Sequence, residues 1–526
     1  MIKDNNHRRV CMLLSELLHS AGIFYRAEGD ENIEITKVTS DSRSVGENSL
    51  FVCIRGRNHD GHSFAKEAAA KGAVAILAED GLPDLPSRVT VIYTPDSAAA
   101  NARLWDAWYS HPARDMKLIA VTGTNGKTTT CFMLDAIFSS ALCKCGIIGT
   151  VYCRTPKKLV EIPEGRGGMT TPEPDVLYAV LEEMRRDGAE YVFIEATSHA
   201  LALGRLAPLS FEAAIFTNLT SEHLDFHGSL ENYFLAKASL LEKTRLAFIN
   251  LDDPYASRYR AYARATGSSA ELLFYSAEGK READYKAENV RLCGANGISY
   301  TLAARNLMRE IRSPIPGRFS VDNTLAAASL ASRLGISGSS ISEAIAGFGG
   351  APGRLKRVRT PSGFSASVYV DYAHTPDALE NVLRAARQFT PDGSRLITVF
   401  GCGGDRDRTK RPMMGRIAGE LADLSIITSD NSRSELPEDI IGEIVGGFDK
   451  NKAHAVIPSR ADAIRYAVEN AGDGDVILLC GKGHEKYELG ARGKRDFDES
   501  AIVGESVKSR IIRESGETKE QNEYEG

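Results

Sequence analysis

The tightest constraint on this chain is one stretch, Val121-Thr122-Gly123-Thr124-Asn125-Gly126-Lys127-Thr128-Thr129-Thr130. An apolar run, Leu118-Ile119-Ala120-Val121, leads into it and reads as a buried parallel strand. Residues 131–138 leave it with helical periodicity. Strand, glycine turn and helix form the setting in which a loop binds phosphate. Gly123 and Gly126 let the backbone approach phosphate oxygens with no Cβ in the way, and the first N–H groups of the helix point at the anion. Lys127 brings a charge to the outer phosphates, and Thr128 brings a hydroxyl suited to Mg2+. The general phosphate loop has a glycine where this chain has Val121, so the loop here is the shorter G-x-x-G-K-T. A glycine turn that merely opens a helix is the plainer alternative, and it gives the lysine and the threonine run no reason to be there.

A chain of 526 residues fits about three domains. With 43% hydrophobic and 25% charged residues it has the composition of a globular protein. A formal charge of −6 gives no basic footprint for nucleic acid, so anionic substrates must be held by local cations and helix ends. The N-terminus, Met1-Ile2-Lys3-Asp4-Asn5-Asn6-His7-Arg8-Arg9, is polar. Residues 10–18 read as an amphipathic helix interrupted by Glu16, with no signal-peptide cleavage pattern. No run of about 18 uncharged apolar residues occurs, so no membrane association is expected. Nine scattered cysteines lack metal-site spacing and fit reduced thiols in a cytoplasmic protein.

The apolar runs divide the chain into three α/β domains, with boundaries expected at 1–112, 113–352 and 353–526. The first mixes short strands and helices around Asp41-Ser42-Arg43 and Asp60-Gly61-His62. In the second, strand-like runs Tyr191-Val192-Phe193-Ile194, Ala213-Ala214-Ile215-Phe216 and Leu246-Ala247-Phe248-Ile249 alternate with helical stretches, which predicts a parallel sheet covered on both faces. Polar clusters follow two of these strands, at residues 195–199 and 217–225, where open α/β sheets bind ligands. In the third, four apolar runs lead into Asp371-Tyr372-Ala373-His374, Gly401-Cys402-Gly403-Gly404-Asp405-Arg406-Asp407, Ser429-Asp430-Asn431-Ser432-Arg433 and Gly481-Lys482-Gly483-His484-Glu485. That pattern predicts a second doubly wound, Rossmann-like domain with its loops on one rim. The polar residues from about 514 onward are expected to be disordered. Glu195 and His223 belong to strands that should flank the loop-bearing strand, where a carboxylate and an imidazole could hold or orient a metal.

The phosphate loop, the Thr217-Asn218-Leu219-Thr220 and His223-Leu224-Asp225-Phe226-His227-Gly228 stretches, Ala236-Lys237, and the three glycine-rich or charged C-terminal motifs stand in the order seen in ATP-dependent Mur ligases. The chain resembles that family over nearly its whole length, and among its members the type that adds the third residue of the peptide. The resemblance implies a central P-loop ATPase-like sheet flanked by a small UDP-substrate domain and a C-terminal amino-acid domain, acting as a monomer. It implies ATP and Mg2+ as cofactors, with UDP-N-acetylmuramoyl-L-alanyl-D-glutamate as acceptor and meso-diaminopimelate as the added amino acid. The acceptor carboxylate would take the γ-phosphoryl group, because a carboxylate has no leaving group until it is phosphorylated.

The same resemblance places Gly123, Thr124, Asn125, Gly126, Lys127, Thr128 and Thr129 on the nucleotide, with Asn323, Asp371, Tyr372 and His374 on the ATP side. Thr128 goes with the first Mg2+, Glu195 and His223 with the second, and Lys237 falls on a lysine that the family carbamylates. Ser42 falls at the uridine side, and Thr170, Thr171, Thr197 and Arg205 at the muramoyl peptide. The chain has Ser320 where the family often has asparagine. Around the amino acid the resemblance places Arg406, Asp430, Asn431, Arg433, Gly481 and Glu485. The family's diaminopimelate version reads D-N-P-R, whereas this chain reads Asp430-Asn431-Ser432-Arg433. Arg433 suits bidentate capture of a distal carboxylate, which L-lysine lacks. Ser432 frees φ and adds an N–H, so ligation of L-lysine or another diamino acid stays open. So do another amide ligase of the superfamily, such as a folylpolyglutamate type, and a nucleotide-driven switch.

Overall fold

The run preceding the phosphate loop forms the strand Lys117–Thr122, buried everywhere except at Lys117. It lies between two parallel neighbours, Tyr191–Glu195 and Phe211–Phe216. Glu195 pairs with Val121, and Phe216 pairs with Thr122. The three strands therefore end together, as expected, and their polar sequels share one edge. In this computed structural model the described residues are 11–56, 59–79, 81–82, 84–162, 169–220, 222–305, 307–449 and 451–524, with side chains to residue 515. The polar N-terminus through Arg9 lies outside them.

The chain forms two compact units. One comprises Met1–Lys127 with Phe138–Tyr275, and the other Thr128–Ile137 with Ser276–Gly526. In the first unit, a five-stranded sheet has the spatial order Arg26–Glu28, Thr90–Tyr93, Ala73–Ala78, Ser49–Val52, Lys37–Thr39. The amphipathic helix expected at 10–18 is observed at Leu14–Ala21. Its Leu14, Leu17 and Leu18 share a core with Ala100, Leu104 and Ala107 of the helix Ser97–Trp108. Asp96 starts that second helix by accepting from Ala99 N–H, the usual N-cap device.

The larger sheet of this unit runs Cys145–Ile148, Tyr191–Glu195, Lys117–Thr122, Phe211–Phe216, Thr244–Asn250, Glu271–Ser276, all parallel. Near-continuous apolar strands are what a sheet buried on both faces requires. Phe138 packs on Tyr191 and Phe193, with ring centroids 4.7 and 5.3 Å apart.

The second unit holds an antiparallel meander, Tyr285–Leu292, Ile298–Ala304 and Leu307–Ser313, followed by the helix Phe319–Arg333. Its other sheet has the order Lys356–Arg357, Ser367–Asp371, Val476–Cys480, Leu396–Phe400, Leu424–Ile427, His454–Val456. All the expected C-terminal strands are present, parallel to one another, so their loops lie on one rim. The final segment departs from expectation. The polar stretch from about residue 514 was expected to be disordered, but the helix Glu499–Tyr524 continues through it. Val503 and Val507 anchor this helix against Ala463, Ile464, Ala467 and Val468. Four apolar residues on one face outweigh the polar composition of the tail. Among the described residues no helix is long and apolar enough to cross a membrane.

Phe193 is fully buried in the strand that carries Glu195. Phe193→Ala should cost about 3–5 kcal/mol in denaturant unfolding of the first unit, the usual penalty for deleting a buried ring. A loss under about 1 kcal/mol would mean that this layer is not close-packed.

Candidate active site

The phosphate loop is held by the neighbouring strand's sequel, Thr217-Asn218. Thr124 N–H donates to Asn218 O at 2.8 Å, and Asn125 N–H to Asn218 Oδ1 at 2.9 Å. Thr217 Oγ1 donates to Asn125 O at 2.6 Å. Gly123 has φ +145°, and a Cβ there would stand 1.8 Å from Thr217 Oγ1. Gly126 also has positive φ, +88°. Lys127 Nζ donates to Gly123 O and Thr124 O, both at 2.8 Å, so the ammonium lies over the loop. Thr128 and Thr129 fall in the first turn of the helix Lys127–Ser140. Tyr233, assigned no role from its motif, lies 3.1 Å from Thr124 Oγ1 through its hydroxyl.

Glu195 ends its strand fully buried, with both oxygens engaged. Thr150 N–H donates to Oε1 at 2.9 Å, and Thr150 Oγ1 to Oε2 at 3.0 Å. Thr150 Oγ1 also meets Thr170 Oγ1 at 3.0 Å. Thr171 Oγ1 donates to Glu195 O at 2.6 Å and lies 3.0 Å from Thr197 Oγ1, while Thr197 caps the helix Ser198–Ala202. Arg205 Nη1 donates to Thr171 O at 2.8 Å. The residues expected at the muramoyl peptide, Thr170, Thr171, Thr197 and Arg205, thus form one network with Glu195. Thr150 joins it unforeseen, because its partner lies 45 residues away. Arg205 Nη2 pairs with Glu173, while its Nε is buried without a hydrogen-bond partner. Ser42 lies in the short turn Ser42–Ser44, opened by Asp41 accepting from Arg43 N–H.

His223 sits at φ +57°, a left-handed conformation that is costly for a residue with a Cβ and characteristic of constrained sites. Its ring meets His199 edge-on at 4.8 Å, and His199 also packs on His227 at 5.5 Å. Burial, with His223 and His227 adding to it, pushes His199 down to about 4. Burial lowers His223 as well, and Lys127 and Lys237 act in the same direction. Lys237 is buried, and its Nζ stands 4.7 Å from the Tyr233 ring centroid. Burial, then Lys127, drives its basicity well below that of an ordinary lysine. Lys127, His223, Lys237 and Glu222 therefore interact in one place. His199 and His227 went unrecognised in the sequence because only the fold gathers them.

Among the described residues no cluster of three or more His, Cys, Asp or Glu side chains could hold a metal ion. Mg2+ asks for less: one or two carboxylates, with phosphate and water completing the octahedron. Glu195 supplies a carboxylate of that kind at the end of the strand beside the phosphate loop, oriented by Thr150, so the donor set fits such an ion.

In the second unit, Asn323 is buried on the helix Phe319–Arg333, 3.5 Å from Thr130 Oγ1. Ser320 donates its hydroxyl to Pro316 O, just before the start of its helix. Asp371 accepts from Leu355 N–H and Ala373 N–H, so its carboxylate braces the backbone. The Tyr372 ring lies between His374 and His484, with centroids at 4.6 and 5.1 Å, and its hydroxyl reaches 3.5 Å from Glu485 Oε1. Residues expected on the ATP side therefore adjoin one expected at the amino acid.

Arg433 has φ +51°, and its Nη1 donates to Gly404 O and Asn431 O. Glycine is required opposite it: a Cβ on Gly404 would meet Ser432 O at 1.9 Å. Gly481, at φ +115°, leaves room for Asp430 Oδ2, which a Cβ would meet at 2.5 Å. Arg406 is exposed, with Nη1 donating to Asp405 O. Asp430, Asn431, Arg433, Gly481 and Glu485 thus come together, whereas Arg406 points outward from them.

A glycine loop at the carboxyl end of a central parallel strand, with a buried carboxylate on the next strand, defines the class: an α/β enzyme built on a phosphate-binding loop. The family follows from comparison with known proteins. Models of the Mur ligase middle domain, the Mur ligase glutamate ligase domain and the Mur ligase family catalytic domain match residues 121–331, 353–483 and 34–108. A UDP-N-acetylmuramoyl-L-alanyl-D-glutamate–2,6-diaminopimelate ligase from Syntrophomonas wolfei is 40% identical over 507 residues, 95% of this chain and 100% of that protein. The corresponding ligase 1 of Clostridium acetobutylicum is 40% identical over 480 residues, 91% of this chain and 96% of its own. A solved structure of a ligase of the same name superposes with a TM-score of 0.65 at 31% identity, covering 91% of this chain and 95% of that one. The chain belongs to the Mur ligase family.

Gly123→Ala should displace Thr217 and the loop, lowering nucleotide affinity by at least about tenfold in calorimetric titration, the equivalent of about 1.4 kcal/mol. Thr217→Ala in the same chain removes the clashing oxygen but not the φ strain, so it should restore only part of the affinity. Unchanged affinity in Gly123→Ala would show that the nucleotide does not use this loop.

Proposed function

We propose that this chain is an ATP-dependent, ADP-forming amide ligase that joins meso-diaminopimelate to UDP-N-acetylmuramoyl-L-alanyl-D-glutamate in building a peptidoglycan precursor. The observation that carries the reading is the 40% identity to a ligase of that name over 95% of the chain. In our reading, residues 1–112 hold the uridine end, 113–352 hold ATP and the acceptor carboxylate, and 353–526 hold the amino acid. The protein acts as a cytoplasmic monomer.

The acceptor carboxylate attacks the γ-phosphorus, ADP leaves, and the acyl phosphate now carries a good leaving group. The free amine attacks the acyl carbon, and phosphate departs as the amide forms. The protein's work is positioning and charge neutralisation. Lys127 meets the outer phosphates, and Arg205, with its unpartnered Nε, meets the muramoyl peptide. A first Mg2+ would be held by Thr128 and a second by Glu195 and His223, and they would supply charge neutralisation for the phosphate oxygens. ADP release requiring both the acceptor and diaminopimelate is the expected result. ADP release without them would support a nucleotide-driven switch instead.

Burial and the nearby Lys127 lower the basicity of Lys237, which favours the free amine, the form that adds CO2 to give a carbamate and a proton. The product is an anion where an ammonium would repel Lys127 and any metal. Intact mass should reveal one added CO2. Lys237→Ala should lose nearly all ligation, and short carboxylic acids should restore part of it by placing an anion in the gap. A free amine in fully active protein would reject this role.

Arg433 separates diaminopimelate from L-lysine. It is half-buried, so losing its charged partner should cost about 1.5–3 kcal/mol, roughly 10- to 100-fold in kcat/KM. Wild type should therefore prefer diaminopimelate by that factor, and Arg433→Ala should lose the preference. Equal or better kcat/KM for L-lysine in wild type would replace the assignment with the lysine-adding one.

A further inference from the structure

The amino-acid loops stand on a buried network in which a residue without an assigned role is the hub. Lys482 is fully buried, and its Nζ donates to Asn431 Oδ1 at 2.8 Å and to Asp430 Oδ1 at 3.2 Å. Leu489 N–H donates to the same Asn431 oxygen at 2.9 Å. With two donors on Oδ1, the amide can face only one way, and its Nδ2 donates to Glu485 Oε2 at 2.9 Å. Asp430 is committed too, because its Oδ1 also accepts from Asn431 N–H at 2.6 Å. Below them Arg460, itself buried, donates to Ser429 O, Cys480 O and Glu499 Oε1, tying together the two strands' loops. The side chains of Asp430 and Asn431 are thus hydrogen-bonded to protein.

We infer that Lys482 is a positioning residue for amino-acid selection. Through Asn431 it fixes the Glu485 carboxylate that reads the distal ammonium of the incoming diamino acid. The inference rests on the ligase reading above. A lysine buried this deeply is costly, and an apolar side chain would fill the space better if filling were its task. Glu485 is otherwise faced by the hydroxyls of Tyr372 and Tyr487, with Asp430, Arg433 and Arg354 acting on that pair of tyrosines.

Two variants test it. Asn431→Asp is nearly isosteric and keeps an oxygen for Lys482 and Leu489, but it replaces the donor facing Glu485 with a like charge. The acid limb of kcat/KM for diaminopimelate should then move up by about one pH unit or more, because a neighbouring carboxylate makes Glu485 harder to ionise. The KM for diaminopimelate should rise by about tenfold or more, while those for ATP and the UDP acceptor stay within about twofold. Lys482→Met should raise the same KM and reduce the preference over 2-aminopimelate, which lacks the distal ammonium. If Lys482→Met does not fold, Asn431→Asp decides alone. An unmoved pH profile with an unchanged diaminopimelate KM in Asn431→Asp overturns the inference. Wild type that does not turn over diaminopimelate overturns the ligase reading instead.

Discussion

The architecture of the site depends on the strand Lys117–Thr122 having parallel neighbours on both sides. Parallel strands all deliver their carboxyl ends to one edge, so the residues that follow them meet there without further instruction. What makes the edge a phosphate site is the absence of a side chain at Gly123. Thr217 Oγ1 occupies the place a Cβ would take, and from there it donates to Asn125 O. Asn218 takes the N–H groups of Thr124 and Asn125, fixing the loop from the flank and leaving its interior to a ligand. Sheet order and loop shape are therefore one constraint.

Buried charge is met differently at the C-terminal rim of the second unit and beside the phosphate loop of the first. In the second, Arg411 is enclosed by Glu435 and Glu443, and Arg460 by Glu499, so each cation has a carboxylate and the glycine loops rest on rigid supports. In the first, Lys237 is buried over a tyrosine ring, with no carboxylate among the described residues paired to it, and His199 is pressed into its neutral form. Charging an unpaired buried lysine is expensive, and folding alone gives no reason to keep one there. Its position beside Lys127 and His223 makes it a candidate for function rather than for packing.

What was legible in the sequence was periodic or local. Apolar runs ending in polar clusters gave the central strands and placed Glu195 and the Thr217-Asn218 segment beside the phosphate loop. The C-terminal rim followed from the same pattern. What was hidden depends on contacts between distant residues: Thr150 with Glu195 across 45 residues, Thr124 with Tyr233 across 109. The meander at residues 285–313 alternates polar and apolar residues on half-exposed strands, a weaker signal than the buried parallel runs. The last helix was obscured by composition, since Ile502, Val503, Val507 and Ile511 are spaced for one helical face within a charged segment.

Ser432 stands where the diaminopimelate version of the family has proline, and the surrounding contacts explain why the exchange leaves the loop in place. A proline would set the φ of residue 432, remove its N–H and restrict Asn431 before it. Here the neighbouring residues carry the geometry. Arg433 N–H donates to Leu489 O at 3.0 Å, and its guanidinium is tied to Gly404 O and Asn431 O. Ser434 Oγ donates to Asp405 Oδ1 at 2.6 Å, and Glu435 N–H donates to Ser432 O at 3.0 Å. Glu435 is itself held by Arg411. To swing Arg433 outward, the chain would have to break these bonds on both sides of residue 432, and the φ freedom gained at one serine is small against that loss. The pocket's orientation therefore resides in its glycines, in Asp405 and in Arg411, and it does not require a proline.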